Sequence, residues 1–245
     1  MTRQKPYRPF WLIDLDNTLF DASHSMFDAI HHSMNEFIME HLGLDEASAG
    51  SLRREYWRRY GATYEGMWRH HRVPPEEFLL ATHSFDLIPH VRADGSSARV
   101  IASLPGRKVL YTNSPSHYAR RVLRHLGLLQ SFEAIVASDN TRMLGQWQAK
   151  PSRVVLEAIC RRFHVKHSDC VLVDDSLANL LCAHRMGMRT VYVAGYRRRH
   201  GHGGELHAVP WVDHRIEHIR ELPRLEFRDP RPAPKLTRAQ AIKLR

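Results

Sequence analysis

Apolar residues in this chain come in short runs that stop abruptly on polar ones: Phe10-Trp11-Leu12-Ile13 before Asp14, Val109-Leu110-Tyr111 before Thr112, and Cys170-Val171-Leu172-Val173 before Asp174. A short continuous apolar run bounded by polar groups reads as a strand buried on both faces. On that pattern strands are expected over 10–14, 108–112, 134–137, 170–173 and 190–193, with a weaker one near 212–215. Between them the period becomes helical. Tyr118, Val122 and Leu126 follow Pro115; Val154, Val155, Ala158, Ile159 and Phe163 follow Pro151; Leu177, Leu180, Leu181 and His184 follow the acidic pair at 174–175. Strands alternating with helices predict an α/β fold with a Rossmann-like parallel sheet.

One block breaks the alternation. Residues 22–95 hold no strand-like run; Met26, Ile30, Met34, Phe37 and His41 recur at helical spacing, Gly43 is placed to stop that helix, and a second amphipathic run follows around 52–60. The expected organisation is an α/β core over 1–21 and 96–223, a helical insertion over 22–95, and a basic tail from 224 to 245. Pro230, Pro232 and Pro234 among basic residues make that tail read as extended or disordered. Within the insertion, Tyr56, Tyr60, Tyr64 and Trp68 form a stripe at four-residue intervals, interrupted by Gly61. Core packing explains the stripe better than base stacking, because aromatics dominate cores.

A length of 245 residues with 43% apolar content suffices for one core plus the insertion. The net charge of +10 and the pI of about 9.9 admit a rival class, a non-catalytic protein whose basic surface tracks nucleic-acid phosphates. The arginine pairs at 53–54, 58–59, 120–121 and 161–162 and the triplet at 197–199 are dispersed, as on solvated faces. No specific nucleic-acid partner is therefore expected, and the charge is read as a field that draws small anions. No run is long enough for a membrane span, and the basic segment at 1–9 lacks the apolar stretch of a signal peptide. Cys160, Cys170 and Cys182 lack CxxC spacing and read as reduced thiols of a cytoplasmic protein. His200-Gly201-His202 offers too few convergent ligands for a metal site and reads as a polar loop.

The strand ends carry the chemistry. Asp14 and Asp16 are spaced i, i+2, which on an extended segment turns both carboxylates to one face. Two adjacent acids repel unless a cation lies between them, and Mg²⁺ is suited to bridging carboxylates and phosphate oxygens. Thr112 and Asn113 end the second strand at a helix start, where backbone N–H groups and side-chain donors suit phosphate. Lys150 precedes Pro151, a residue suited to the first helical position; a cation there opposes the helix dipole and points to a negative partner elsewhere. Asp174 and Asp175 add two further acids at a strand end. Taken singly, each has a plainer account: turn-forming Asp16-Asn17, capping Thr112 and Asn113, an exposed lysine, one aspartate as an N-cap. Together they put several polar strand ends at the sheet edge where open α/β sheets bind ligands.

In order along the chain, Asp14-x-Asp16-x-Thr18, Thr112, Lys150 and Asp174-Asp175 resemble the four motifs of the haloacid dehalogenase superfamily of phosphatases, over residues 10–195. The form Asp-x-Asp-Asn-Thr-Leu-aromatic, with Tyr111-Thr112-Asn113 and Asp174-Asp175-Ser176-x-x-Asn179, is most similar to the pyrimidine 5'-nucleotidase branch. The resemblance implies a Mg²⁺-dependent phosphomonoesterase whose substrate is a small phosphomonoester, a pyrimidine nucleoside 5'-monophosphate first, with phosphoglycolate or a sugar phosphate as alternatives. It implies Asp14 as the nucleophile that becomes an aspartyl-phosphate, and Asp16 as the acid that protonates the leaving oxygen and then activates water. Thr112 and Lys150 would hold phosphoryl oxygens, beside Asn113 as the phosphate donor read above from the strand end; Asp14, Asp175 and the backbone carbonyl of Asp16 would hold Mg²⁺, with Asp174 at one remove. The insertion would be a cap that closes over the site and selects the substrate. Many relatives carry Gly-Asp with a further Asp four residues on; Asp174, Asp175 and Asn179 depart from that and bear on metal affinity. Asp16 argues against dehalogenation, because dehalogenases lack that second aspartate.

Overall fold

The computed structural model describes residues 8–92, 95–143, 146–199 and 209–227. Along the chain come β1 (Phe10–Ile13), α1 (Met26–Leu42), α2 (Glu46–Tyr60), α3 (Thr63–His71), α4 (Pro75–Thr82), α5 (Gly95–Ser103), β2 (Lys108–Tyr111) and α6 (Ser116–His125). Then follow β3 (Ala134–Val136), β4 (Arg142–Met143), β5 (Gln146–Trp147), α7 (Arg153–Phe163), β6 (Cys170–Asp174), α8 (Leu177–Arg185), β7 (Arg189–Val193), α9 (Gly195–Arg199) and β8 (His214–Ile216).

The main sheet has the order β3-β2-β1-β6-β7-β8, with every pairing parallel. β1 is central: the chain builds outward on one side through β2 and β3, then crosses to the other for β6 to β8. That reversal opens a crevice beyond the carboxyl ends of β1, β2 and β6, the place where such sheets bind ligands. Alternation along each strand divides the core. Trp11, Ile13, Leu110, Val171 and Val173 share one face with Ile101, Tyr118 and Val122 from α5 and α6. Phe10, Leu12, Val109, Tyr111 and Leu172 share the other with Val155, Ile159 and Leu180 from α7 and α8. Burial on both faces is why these strands read as continuous apolar runs rather than alternating ones.

Helices α1 to α4 enclose a separate cluster containing Ile38, Ala49, Tyr56, Tyr64, Met67 and Phe78. α1 belongs to both regions, since its Met26 and Ile30 pack on the sheet and its Ile38 in the helical cluster. Gly43 and Gly61 end α1 and α2 in the left-handed conformation, φ 66° and 79°. Gly61 therefore splits the aromatic stripe between two helices: Tyr56 and Tyr64 are buried, while Tyr60 and Trp68 are half-exposed. α3 lies so close to α2 that a Cβ on Gly66 would sit 2.1 Å from Cγ of Tyr56.

Two local features depart from the sequence reading. β4 and β5 pair as a small antiparallel hairpin, too short to show as a period, and Trp147 from it joins the α1–α4 cluster. α7 starts at Arg153 rather than at Pro151, because Ser152 is the N-cap and its side chain accepts from Val155 N–H. Lys150 therefore lies ahead of the helix rather than at its first turn.

Leu225 and Phe227 pack against the sheet cluster, and the Phe227 ring meets Trp11 edge-on at 5.4 Å. Residues 228–245 of the expected tail, and His200-Gly201-His202, lie outside the described residues. Among the described residues no helix is long and apolar enough to cross a membrane. Cys160, Cys170 and Cys182 are free thiols.

Candidate active site

β1 stops at Ile13, but Asp14 N–H still donates to Val173 O at 3.0 Å, which fixes the Asp14 backbone against β6. The chain then turns tightly. Asn17 takes a left-handed φ of 56° and clamps Ser23 through both ends of its amide, at 2.7 and 3.0 Å. Thr18 Oγ1 donates to Asp14 Oδ2 at 3.1 Å. At the neighbouring strand end Thr112 N–H donates to Val136 O, and Thr112 Oγ1 accepts from Ser114 N–H, both at 3.0 Å.

Lys150 reaches into this edge with all three donors engaged. Its Nζ donates to Asp14 Oδ1 at 2.6 Å, to Asp174 Oδ2 at 2.8 Å and to Tyr111 O at 2.9 Å. The amide of Asn113 holds the lysine backbone from both sides: Oδ1 accepts from Lys150 N–H at 2.6 Å and Nδ2 donates to Lys150 O at 3.3 Å. Asn113, expected as a phosphate donor, thus has its side chain engaged in placing Lys150. Asp174 is held by Ser176 N–H at 2.8 Å and by Asn179 Nδ2 at 2.9 and 3.0 Å. Neither Asp174 nor Asp175 is the N-cap of α8; that residue is Ser176.

Carboxylate oxygens of Asp14, Asp174 and Asp175 all lie within 4.8 Å of one another. Asp14 and Asp174 share the buried Lys150 ammonium, with Asp175 beside them. Hard oxygen donors converging in this way fit a divalent cation that prefers oxygen ligands. The titration behaviour agrees. Burial raises Asp14, the Lys150 charge pulls it back, and Asp174 and Asp175 push it up again, leaving it well above the ordinary carboxylate range. Burial works against the charge on Lys150, but Asp14 and Asp174 outweigh it and keep the ammonium protonated.

Asp16 stands apart. Asp16 sits beyond the strand and bridges to Phe20 in the turn. Its Oδ2 accepts from Ser114 Oγ, in the loop before α6, at 2.6 Å and its Oδ1 from Tyr118 OH, on α6, at 2.7 Å. Burial raises Asp16, while these two hydrogen bonds and Lys150 oppose it. The sequence reading passed over both partners. In the sequence Tyr118 falls on an apolar helix position, and the one signal is its four-residue offset from Ser114.

A family model of haloacid dehalogenase-like hydrolases matches residues 12–187. The chain belongs to that family. This hydrolase is also 24% identical over 197 residues to Phosphate metabolism protein 8 of Saccharomyces cerevisiae, covering 75% of the present chain and 60% of the yeast protein. The present chain thus spans less than two thirds of that relative. Its fold is similar to that of a HAD phosphatase from Thermococcus onnurineus, with a TM-score of 0.62 and 18% identity over 88% of this chain and 96% of that one. It is likewise similar to CbbY from Rhodobacter sphaeroides, solved in complex with phosphate, with a TM-score of 0.60 and 20% identity over 88% and 96% of the two chains.

Proposed function

We propose that this hydrolase is a Mg²⁺-dependent phosphomonoesterase that works through an aspartyl-phosphate on Asp14, with pyrimidine nucleoside 5'-monophosphates as substrates. The observation that carries the reading is the Lys150 ammonium, buried between Asp14 and Asp174 beside a third carboxylate at the edge where β1, β2 and β6 end. A cation held on the attacking carboxylate offsets the repulsion between it and an anionic phosphate, and phosphoryl transfer depends mainly on such positioning and charge. CbbY, which binds phosphate, supports the choice of a phosphate ester. The nucleotide assignment rests on the resemblance of Asp14-x-Asp16-Asn17-Thr18-Leu19-Phe20 and Asp174-Asp175-Ser176 to the pyrimidine 5'-nucleotidase branch.

In the first step Asp14 attacks phosphorus, the bond from phosphorus to the alcohol oxygen breaks, and Asp16 gives its proton to that oxygen. In the second, Asp16 takes a proton from water as the water attacks phosphorus; the bond to Asp14 breaks, releasing inorganic phosphate and restoring the carboxylate. Each step asks little of one residue, which is the gain from covalent catalysis with a placed acid. Thr112 Oγ1 holds one phosphoryl oxygen, Lys150 holds another by exchanging one of its three present hydrogen bonds for it, and Asn113 fixes the lysine. Asp14, Asp175 and the Asp16 carbonyl would hold Mg²⁺, leaving Asp174 to orient Lys150; the bound ion supplies positive charge to the phosphoryl oxygens. The setting is the reducing cytoplasm, which the free thiols support.

The test is phosphate release from a panel of phosphorylated metabolites with Mg²⁺. Uridine and cytidine 5'-monophosphates should lead the panel. Preference for phosphoglycolate or a sugar phosphate would overturn the nucleotide assignment, and release from none would overturn the phosphatase reading.

A further inference from the structure

Asp16 takes no part in the three-acid cluster, yet its carboxylate is held by two hydroxyls. Ser114 Oγ at 2.6 Å and Tyr118 OH at 2.7 Å occupy one oxygen each, so the group cannot rotate without breaking a hydrogen bond. The two donors come from different structures: Ser114 from the loop after β2, whose N–H is tied to Thr112 Oγ1, and Tyr118 from the first turns of α6. Tyr118 is completely buried, so its ring is fixed by packing.

That packing includes the helical insertion. His83, the residue that closes α4, sets its ring edge-on against Tyr118 with centroids 5.4 Å apart. Arg121, one turn along α6, donates to His83 O at 3.1 Å and to Phe85 O at 2.6 Å. The segment that returns from the insertion to the sheet is therefore bound to the same helix face that holds Asp16. Sequence spacing does not require this, since Tyr118 and Asp16 are 102 residues apart.

We propose that Tyr118 is a positioning residue for the acid–base step: with Ser114 it aims the Asp16 carboxylate, and through His83 it makes that aim depend on the insertion being seated against α6. The proposal rests on the reading of Asp16 as the acid given above. A hydrogen bond that only stabilises the fold affects all substrates alike. One that aims the acid matters most where the departing oxygen most needs a proton.

The experiment uses the full chain and two aryl esters of similar shape, p-nitrophenyl phosphate and phenyl phosphate. Nitrophenolate leaves readily without a proton; phenolate leaves poorly. Tyr118→Phe removes only the hydroxyl and should lower kcat for phenyl phosphate by roughly tenfold, with KM little changed and a much smaller loss on p-nitrophenyl phosphate. Ser114→Ala should act in the same direction. Asp16→Asn should show the same selectivity more strongly, about a hundredfold, and adding Tyr118→Phe to it should cost nothing more. Equal losses of Tyr118→Phe on both esters, or none, beside a selective Asp16→Asn would overturn the positioning role while leaving the phosphatase reading intact. An Asp16→Asn loss equal on both esters would instead overturn Asp16 as the acid, and the proposal with it.

Discussion

Nζ of Lys150 lies 2.6 Å from Oδ1 of Asp14, and both side chains are buried, at 3% and 8% exposure. The two charges depend on each other more than on solvent. Removing one partner of a buried pair leaves the other uncompensated, which costs about 3–5 kcal/mol. Lys150→Met should therefore destabilise the protein by that order as well as abolish turnover. Asp14→Asn should cost less stability than Lys150→Met, because Asp174 still faces the ammonium, while phosphate release stops. Substantial turnover by folded Asp14→Asn would reject the covalent step.

Chelation should remove activity and Mg²⁺ should restore it, while Ca²⁺, a larger ion with looser coordination, should inhibit. Mg²⁺ should also raise the thermal midpoint, because an ion that binds only the native acid cluster stabilises it by mass action. Asp175→Ala should weaken that Mg²⁺-dependent shift more than Asp174→Ala, whose carboxylate is engaged by Lys150, Asn179 and Ser176. Equal thermal midpoints with EDTA and with Mg²⁺ would count against a cation at these acids.

His83 supplies the pH dependence. Burial, helped by nearby His117, drives its imidazole down to about 3, so it is neutral in the fold. The unfolded chain takes up this proton near the ordinary histidine value and the native state does not. Stability from this group is thus complete above about pH 6.5 and falls as pH drops toward 3. The loss should reach about 2 kcal/mol by pH 5. Asp14 and Asp16 act in the opposite sense, being raised, so the comparison is between wild type and His83→Asn. The variant should show a flatter fall in urea stability from pH 7 to 5; an unchanged slope would mean His83 is charged in the native state.

Gly66 tests the helical insertion. A methyl there meets the Tyr56 ring at 2.1 Å, in a part of α3 that cannot move without opening its contact with α2. Gly66→Ala should lower stability by about 1–3 kcal/mol through overpacking, despite its better helix propensity. Thermal denaturation of the two proteins decides this, and an equal or higher midpoint for the variant would show that α2 and α3 can separate cheaply.

Strand positions were legible because burial on both faces writes a continuous apolar run, as in Phe10–Ile13 and Cys170–Val173. The paired strands β4 and β5 were not, since two residues make no period. Lys150 was marked by a charge with no local reason to be there, and the structure supplies the reason in Asp14 and Asp174. The hydrogen-bond partners of Asp16 were not legible, because side-chain alternation holds only while the strand lasts and β1 ends three residues before it. Ser114 and Tyr118 were invisible as a pair: their common target lies about a hundred residues upstream, and a tyrosine on an apolar helix face looks the same whether or not its hydroxyl is in use.

Among the described residues α1 is the one helix rooted in both the sheet core and the helical cluster, with Met26 and Ile30 at the sheet and Ile38 among the other helices. Its 17 residues make a rod of about 25 Å at the α-helical rise. A rod of that length is a lever. Tilting it by about 5° about its Met26 end would carry Leu42 by about 2 Å while hardly disturbing Met26. Substitutions at Met26 and at Leu42 therefore load opposite ends of one rod, the first in the sheet core and the second among the other helices.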